Sequence, residues 1–253
     1  MKRQHTFLYI RENIIANLKA DISHNYLGFL WWFIEPILMM AIFYGVFGVL
    51  FQRGGDNFVQ ILLVGIVFWI WFASSVGKSA PSIFNARILL SHVYFPKFVL
   101  PSVIIMEGVI RHILVMVVLL VFLAATTGIF VSWAWLPILF IVQLTFIAAV
   151  AFWVAAVVPF IPDLRLVIPP VLQALMFCSG VFFRTINLPE KYQNIFLYNP
   201  MANLITQYRS ALIEGQAPDT ASLAVIFLVS AALLFSALLF LEKNDLRYPR
   251  LAN

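Results

Sequence analysis

Six long apolar runs limit what this chain can fold into more than any other feature of its sequence. They extend over residues 31–51, 59–76, 102–125, 135–158, 166–183 and 221–241. A helix needs about 20 predominantly apolar residues to cross the hydrocarbon core of a bilayer, which is about 30 Å thick. We therefore predict an all-α, polytopic membrane protein with six transmembrane helices.

The composition excludes a soluble globular domain. Hydrophobic residues make up 63% of the 253 residues and charged residues 11%, whereas soluble domains have about 45–50% and about 25%. The net charge of +5 arises from basic residues that are spread between the apolar runs and form no single patch, so we expect no nucleic-acid partner.

The distribution of Lys and Arg predicts the orientation. An even number of spans places both termini on one side, and the segments on that side hold eleven of the 16 Lys and Arg residues, against four on the other side. Cytoplasmic loops carry the excess of Lys and Arg. We therefore expect a multi-pass membrane protein with both termini in the cytoplasm.

Residues 1–30 have the pattern of a helix that lies along a membrane surface. At 100° per residue, six apolar side chains fall on one face, and these are Phe7, Leu8, Ile14, Ile15, Leu18 and Ile22. A helix of this kind lies in the interface with its apolar face in the lipid. We predict an N-terminal amphipathic interfacial helix and a connector, and a helix packed on a partner protein stays the open alternative.

The stretch 184–219 is too polar to span a membrane and too apolar for a plain loop. Pro189 and Pro200 each suit the first turn of a helix, and Gly215 suits a helix end. We predict two short external helices, either re-entrant or lying at the outer surface, between the fifth and sixth spans.

No motif in the sequence predicts an enzyme. The string Gly77-Lys78-Ser79 resembles the end of a phosphate-binding loop, but such a loop needs a glycine five residues before Gly77, where Phe72 stands. The four histidines lack the paired spacing of a helix-borne metal site, and no nucleophile motif occurs. We therefore expect a transport subunit that is no enzyme, has no metal site and binds no cofactor of its own.

Three ionisable residues lie inside the predicted spans, where each costs about 2.5–3.5 kcal/mol on insertion. Glu107 and Arg111 are four residues apart with the acid first, which is the favourable order for an ion pair on a helix. The pair either locks helix packing or contacts an anionic headgroup or a pathway. Glu35 stands directly before Pro36, which permits a kink in the first span.

Aromatic residues make up 16% of the chain, and their rings suit interfacial anchoring. A ring face also stacks on the apolar face of a sugar, so a water-filled aromatic path would suit a glycan. The candidate path residues are Trp31, Trp32, Glu35, Tyr44, Trp69, Phe72, Phe152, Trp153, Phe177 and Phe183.

Three segments stand at characteristic places relative to the spans. They are YLGFLWWFIEP over Tyr26–Pro36, VYFPKFVLP over Val93–Pro101, and LPEKYQNIFLYNPMANLITQYRSALIEG over Leu188–Gly215. In this order they resemble the membrane subunits of type-2 ABC exporters that move polysaccharides, namely the O-antigen, capsule and teichoic-acid permeases. The resemblance extends over nearly the whole chain, 1–253, as one transmembrane domain.

The resemblance implies that two copies of the chain form a path for a lipid-linked polysaccharide. A separate ATP-binding cassette ATPase subunit, which uses ATP and Mg, would drive transport, and periplasmic or outer-membrane export components are further expected partners beside the membrane lipids. A coupling helix near 81–91 would meet the ATPase. The implied coupling residues are Pro81, Ser82, Ile83, Phe84, Asn85, Arg87, Leu90 and Lys97.

The same resemblance implies that the external helices form a gate at the outer mouth of the path. The gate residues would be Arg184, Pro189, Tyr192, Tyr198, Asn199, Pro200, Tyr208 and Arg209. Capsule, O-antigen and teichoic-acid glycans stay open as substrates. A type-2 permease for drugs or lipids and an ion-coupled secondary transporter are the alternative functions.

Overall fold

A computed structural model describes residues 12, 14–16, 30–50, 57–87, 96–184 and 189–248. The described part is helical. Its helices are α1 Trp31–Phe43, α2 Phe58–Ser79, α3 Ser82–Asn85, α4 Val99–Thr126, α5 Leu136–Val157, α6 Leu164–Phe177, α7 Glu190–Leu197, α8 Pro200–Leu212 and α9 Thr220–Lys243. A π-helical stretch, Tyr44–Leu50, continues α1, and a 3₁₀ turn, Val131–Trp135, precedes α5.

Five helical segments in the described ranges are long and apolar enough to cross a membrane. They are Trp31–Leu50, Phe58–Asn85, Val99–Thr126, Val131–Val157 and Thr220–Lys243, close to the ranges that the apolar runs predict. The fifth predicted run gives only the shorter apolar helix α6, of 14 residues. Most of the predicted interfacial helix, 1–30, lies outside the described residues.

Helix α2 forms the centre of the bundle. It packs against α1, α4, α5, α6 and α8. Its buried side chains include Leu62, Val64 and Phe68, which are all 0% exposed. In contrast, α1 and α6 each bury a single residue in the described part of the chain. These residues are Pro36 in α1 and Leu172 in α6. Many apolar side chains of α1 and of α6 are therefore uncovered in the single chain.

Side-chain hydrogen bonds join neighbouring spans inside the apolar region. The Gln143 amide on α5 donates to the Phe68 carbonyl on α2 at 2.9 Å. The Trp153 indole on α5 donates to the Leu233 carbonyl on α9 at 3.0 Å. Hydrogen bonds of this kind fix which faces of neighbouring membrane helices meet.

The ends of α7 and α8 follow the predicted punctuation. Helix α7 begins directly after Pro189, and α8 begins at Pro200 with Asn199 as its cap, whose side chain accepts from the Met201 amide at 3.0 Å. Gly215 adopts a left-handed φ of 69° just beyond α8, as glycine does at helix ends. The prediction of two short helices in this segment is confirmed.

The fifth predicted run, 166–183, is helical over only part of its length. Helix α6 ends at Phe177, and turns follow through residue 183. The reason is that carbonyls in this stretch accept from side chains of α8 and its cap: Asn199 donates to Cys178 and Arg209 to Gly180. Bonds to these side chains replace the hydrogen bonds that a continued helix would make.

Substitution of Gly65 tests how closely α2 packs against Arg209 and the turn after α6. A Cβ on Gly65 would lie 2.7 Å from both Arg209 Nη2 and the Val181 carbonyl oxygen, whereas a Cβ on Gly45 would meet nothing within 4 Å. We expect Gly65→Ala to lower the free energy of unfolding by about 1–3 kcal/mol and Gly45→Ala to cause no loss. Thermal melting of the purified protein checks this, and equal melting temperatures for the two variants would contradict it.

Candidate functional site

The short helix α3 lies at the end of the bundle where α2 ends and α4 begins. The ring of Phe84 lies between two guanidinium groups, with Arg87 Cζ 4.2 Å and Arg165 Cζ 4.3 Å from its centroid. Arg165 belongs to the start of α6. These cation–π contacts connect α3 to α6, two elements about 80 residues apart in sequence.

The other predicted coupling residues anchor α3 to the bundle. Pro81 precedes the helix, Ser82 Oγ donates to the Ser79 carbonyl at 2.6 Å, and Ile83 is buried at 1% exposure. Asn85 is exposed. Leu90 lies outside the described residues, so α3 accounts for the first part of the predicted 81–91 helix.

Lys97 contacts the C-terminal segment. The residue is 2% exposed, and its Nζ lies 3.1 Å from Asp245 Oδ1. Nearby, the Tyr248 hydroxyl donates to the Ala156 carbonyl at 3.1 Å, and burial, with a smaller contribution from Asp245, raises the pKa of Tyr248 well above its ordinary value. The segment after α9 is thus fixed against α4 and α5, and any coupling role of Lys97 is indirect.

A polar cavity of about 280 Å³ lies between α1, α2 and α4, at the same end of the bundle. Trp31, Trp32 and Glu35 from α1 line it together with Arg111 from α4. Arg111 Cζ lies 5.4 Å from the Trp32 ring centroid, and Arg111 Nη2 lies 3.6 Å from Glu107 Oε2. The structure therefore brings the three ionisable residues of the predicted spans near one cavity.

Apart from Trp31 and Trp32, which line the cavity, the predicted path aromatics divide into three groups. Trp69, Phe72 and Phe152 are buried inside the single chain, and Phe72 stacks on Phe146 with centroids 5.4 Å apart. Trp153 packs between α5 and α9 on Phe240, 5.4 Å away. These four residues hold the bundle together and line no surface between α1 and α6.

The third group lies at the opposite end of the bundle, where α1 and α6 approach the external helices. Phe182 contacts Phe43 and Phe177, with centroids 4.1 Å and 5.2 Å away, and Phe183 contacts Phe196 at 5.3 Å. Tyr44 is 41% exposed and Phe177 50% exposed. Sequence reasoning missed Phe43 and Phe196 here, because single phenylalanines in apolar segments carry no distinguishing signal.

The external segment presents a polar surface. Arg184 Nη2 pairs with Glu214 Oε1 at 2.9 Å, and both side chains are about one third exposed. Tyr192 and Tyr198 are exposed at 53% and 84%. Among the predicted gate residues, Arg184, Tyr192 and Tyr198 therefore lie where they would meet a ligand at the bundle's end.

Arg209 instead lies inside the protein, at 3% exposure. Its Nε and Nη2 donate to the Ile61 carbonyl at 3.1 and 2.9 Å, and Nη2 also donates to the Val181 carbonyl at 2.8 Å. Its Nη1 donates to the carbonyls of Gly180 and Phe183 at 2.7 and 2.9 Å. All five N–H donors of the guanidinium are satisfied by main chain, so this residue ties α8 to α2 and to the turn after α6.

Tyr208, its neighbour, is also buried. Its ring stacks on Phe68 of α2 with centroids 3.5 Å apart and an interplanar angle of 13°. At the start of α5, Ser132 Oγ donates to the Ala211 carbonyl at 2.6 Å and Trp133 Nε1 to the Leu212 carbonyl at 3.2 Å. Helix α8 is thus held on several sides, whereas α7 has few buried contacts.

Comparison with known proteins places the chain among transporters. Residues 10–213 match the family described as ABC-2 type transporter. The chain is 32% identical over 224 residues to the O-antigen export system permease protein RfbA of Myxococcus xanthus, covering 87% of this chain and 86% of that protein. It is 31% identical to a protein of the same name from Klebsiella pneumoniae, with 85% of each covered.

A more distant relative is the polysialic acid transport protein KpsM of Escherichia coli. It is 23% identical over 237 residues, covering 91% of this chain and 89% of that protein.

In the described part of the chain, no group of three His, Cys, Asp or Glu side chains lies close enough to hold a metal ion.

Exchange of arginine for lysine tests the difference between Arg209 and Arg184. Lysine has three donors and no planar fork, so Arg209→Lys leaves at least one buried carbonyl unsatisfied, at about 1–3 kcal/mol. Arg184→Lys changes only a partly exposed pair, worth about 0.2–1 kcal/mol. We expect the larger loss of thermal stability for Arg209→Lys, and an equal or larger loss for Arg184→Lys would contradict the assignment.

A double-mutant cycle tests the contact of Lys97 with Asp245. Asp245→Asn removes a carboxylate that faces a buried ammonium and is expected to cost about 3–5 kcal/mol. Lys97→Met in the same chain removes that charge, so the double variant should regain part of the loss, with an interaction energy of about 0.5–3 kcal/mol. Unfolding in denaturant measures the four free energies, and strictly additive effects would show that the two side chains do not interact.

Proposed function

The chain belongs to the ABC-2 type transporter family, and we propose that it is the membrane permease subunit that exports a lipid-linked polysaccharide with a separate ATPase. The observation that carries the proposal is the similarity to O-antigen export permeases over 85% or more of both chains. The family match over residues 10–213 includes helices α1 to α8. The proposed polysaccharide export role therefore concerns most of the chain.

The family supports an arrangement in which an ATP-binding cassette partner supplies the energy. ATP and Mg would be bound by that partner, since this chain carries no complete phosphate-binding loop. Helix α3, exposed at Asn85, would be the surface that receives the ATPase. Its cation–π contact with Arg165 would pass a movement of α3 to the start of α6.

Six spans with both termini in the cytoplasm of the inner membrane remain our proposal for the topology. Helix α6 would be the fifth span: its 14 residues cover about 21 Å at 1.5 Å per residue, and the turns up to residue 183 would complete the crossing. Non-helical backbone lies at membrane depth only where protein satisfies it. Arg209 and Asn199 supply those hydrogen bonds here.

The uncovered side of α1 and α6 supports a path formed between two copies of the chain. Its exposed apolar residues include Ile37, Val49, Leu166, Val171 and Phe177, which are 47–69% exposed. Two copies facing each other with these helices would enclose a path whose outer end carries the aromatic residues Tyr44 and Phe177. Helices α7 and α8, with residues 184–219, would close that end as an external gate.

Residues 1–30 complete the proposed domain as an interfacial helix and connector on the cytoplasmic side. The segments would then be 31–183 for the first five spans with their coupling helix, 184–219 for the gate, and 220–253 for the sixth span and cytoplasmic tail. The high proportion of Lys and Arg on the side of both termini supports this placement.

Deletion of the gene tests the proposed function. Because export would stop while synthesis continues, we expect the strain to accumulate polysaccharide inside the cell and to lose it from the surface, with both restored by the wild-type chain. Extraction of intracellular and surface glycan measures this. Unchanged surface glycan, together with lost export of small hydrophobic compounds, would instead indicate a drug or lipid permease.

Single cysteines test the topology in a Cys178→Ser chain, which itself should remain unlabelled. Leu30, Tyr198 and Leu246 are 48%, 84% and 74% exposed and suit replacement by cysteine. A membrane-impermeant maleimide applied to spheroplasts should label Tyr198→Cys at once, and Leu30→Cys and Leu246→Cys only after permeabilisation. Labelling of Leu30→Cys and Leu246→Cys from opposite sides would exclude six spans.

A further inference from the structure

The cavity between α1, α2 and α4 has a floor of buried polar atoms that lack partners. Trp71 Nε1, Ser75 Oγ and His112 Nε2 make no hydrogen bond with any described residue, although the three residues are only 3%, 2% and 4% exposed. All three line the cavity. An unsatisfied buried polar group costs about 1–3 kcal/mol, so a ligand or water is expected to meet these atoms.

Because Gly108 has no side chain, it leaves space for the polar atoms of the cavity floor. A Cβ built on Gly108 would lie 2.6 Å from Ser75 Oγ and 3.6 Å from Trp71 Nε1, so the two polar atoms converge over its main chain. The Trp71 ring also stacks on His112, with centroids 4.1 Å apart and an interplanar angle of 9°. The floor is therefore built from side chains whose positions are fixed by packing.

The mouth of the cavity carries charged residues. Lys78, Arg111 and Glu35 line it, and Lys78 and Glu35 are exposed. Lys78 is the penultimate residue of α2, so Trp71 lies about 10 Å further along the helix. The cavity thus begins near the end of α2 and extends inward along the span to Trp71.

The lining favours a particular ligand chemistry. The indole N–H, the hydroxyl, the ammonium and the guanidinium are all donors, which suits a phosphate. Glu35 would repel a bare phosphate, so the ligand must also offer a donor such as a hydroxyl to that carboxylate. The volume of about 280 Å³ is near the lower end of ligand pockets, about 300 Å³, which suits a phosphate with one sugar or glycerol unit.

We propose that this cavity binds the phosphate-linked, hydroxyl-bearing headgroup of a membrane lipid. Trp71, Ser75 and His112 contact the headgroup at the floor, and Lys78 and Arg111 neutralise its phosphate at the mouth. Two lipids share this chemistry: a polyprenyl-diphosphate sugar, as carried by a lipid-linked glycan, and phosphatidylglycerol. The proposal rests on the proposed function only for the first of these two.

Two variants of the floor and two matched controls test the site. Ser75→Ala removes a donor, and Gly108→Ala displaces the Ser75 hydroxyl. Ser79→Ala removes an equally buried, unpartnered hydroxyl from α2 that does not line the cavity. Gly77→Ala adds a Cβ that meets only Leu172 Cδ1, at 3.6 Å. Thermal melting confirms that each variant is folded.

The full chain, in phosphatidylcholine nanodiscs, is titrated with polyprenyl diphosphate N-acetylglucosamine and separately with phosphatidylglycerol, and native mass spectrometry counts the bound lipid. We expect one molecule of probe per chain, with Kd raised about ten-fold by Ser75→Ala and by Gly108→Ala and changed less than two-fold by the controls. The probe that responds identifies the source of the headgroup.

The proposal is overturned if neither probe loses affinity in the two floor variants, or if the controls lose as much, since the cavity would then hold water alone. This failure is distinct from failure of the proposed function. Loss of glycan export on deletion, without any response of the probes, would leave the function and remove the site. A response to phosphatidylglycerol in a chain that exports no glycan would leave the site and remove the function.

Discussion

The guanidinium of Arg209 joins three parts of the chain that no continuous helix connects. Its five hydrogen bonds reach the first turn of α2 and three carbonyls of the turn after α6. A cation buried this deeply is stable only if every donor is satisfied, so the turn must hold its irregular path. The end of α6, the position of α8 and the close approach at Gly65 all depend on this arrangement.

The two ends of the bundle differ in how their parts are connected. At the end that carries α7 and α8, Arg209, Asn199 and the start of α5 fix α8 in place, while Tyr192 and Tyr198 stay exposed. At the other end, Phe84 contacts both Arg87 and Arg165, and Lys97 holds the C-terminal segment. Helix α6 is joined to both ends, so it connects α3 to the end that carries α7 and α8.

Sequence patterns predicted the elements that depend on local chemistry. Apolar runs located five candidate spans because the bilayer sets their length, and Pro189, Pro200 and Gly215 marked the ends of α7 and α8. The early end of α6, the burial of Tyr208 and Arg209, and the contact of Lys97 with Asp245 were not predictable. Each depends on residues distant in sequence that only the folded chain brings together. The sequence does not distinguish a buried arginine from an exposed one.

The claim at the centre of this account is that the chain forms the path of an ATP-driven polysaccharide exporter. Its most direct test reconstitutes the chain with its ATPase into liposomes that contain a polyprenyl-diphosphate-linked glycan in the leaflet facing the ATPase. A glycosidase on the opposite side then reports transfer. The account predicts glycan cleavage that requires ATP and both proteins. Cleavage that is independent of ATP, or its absence while ATP drives the movement of small hydrophobic compounds, would contradict it.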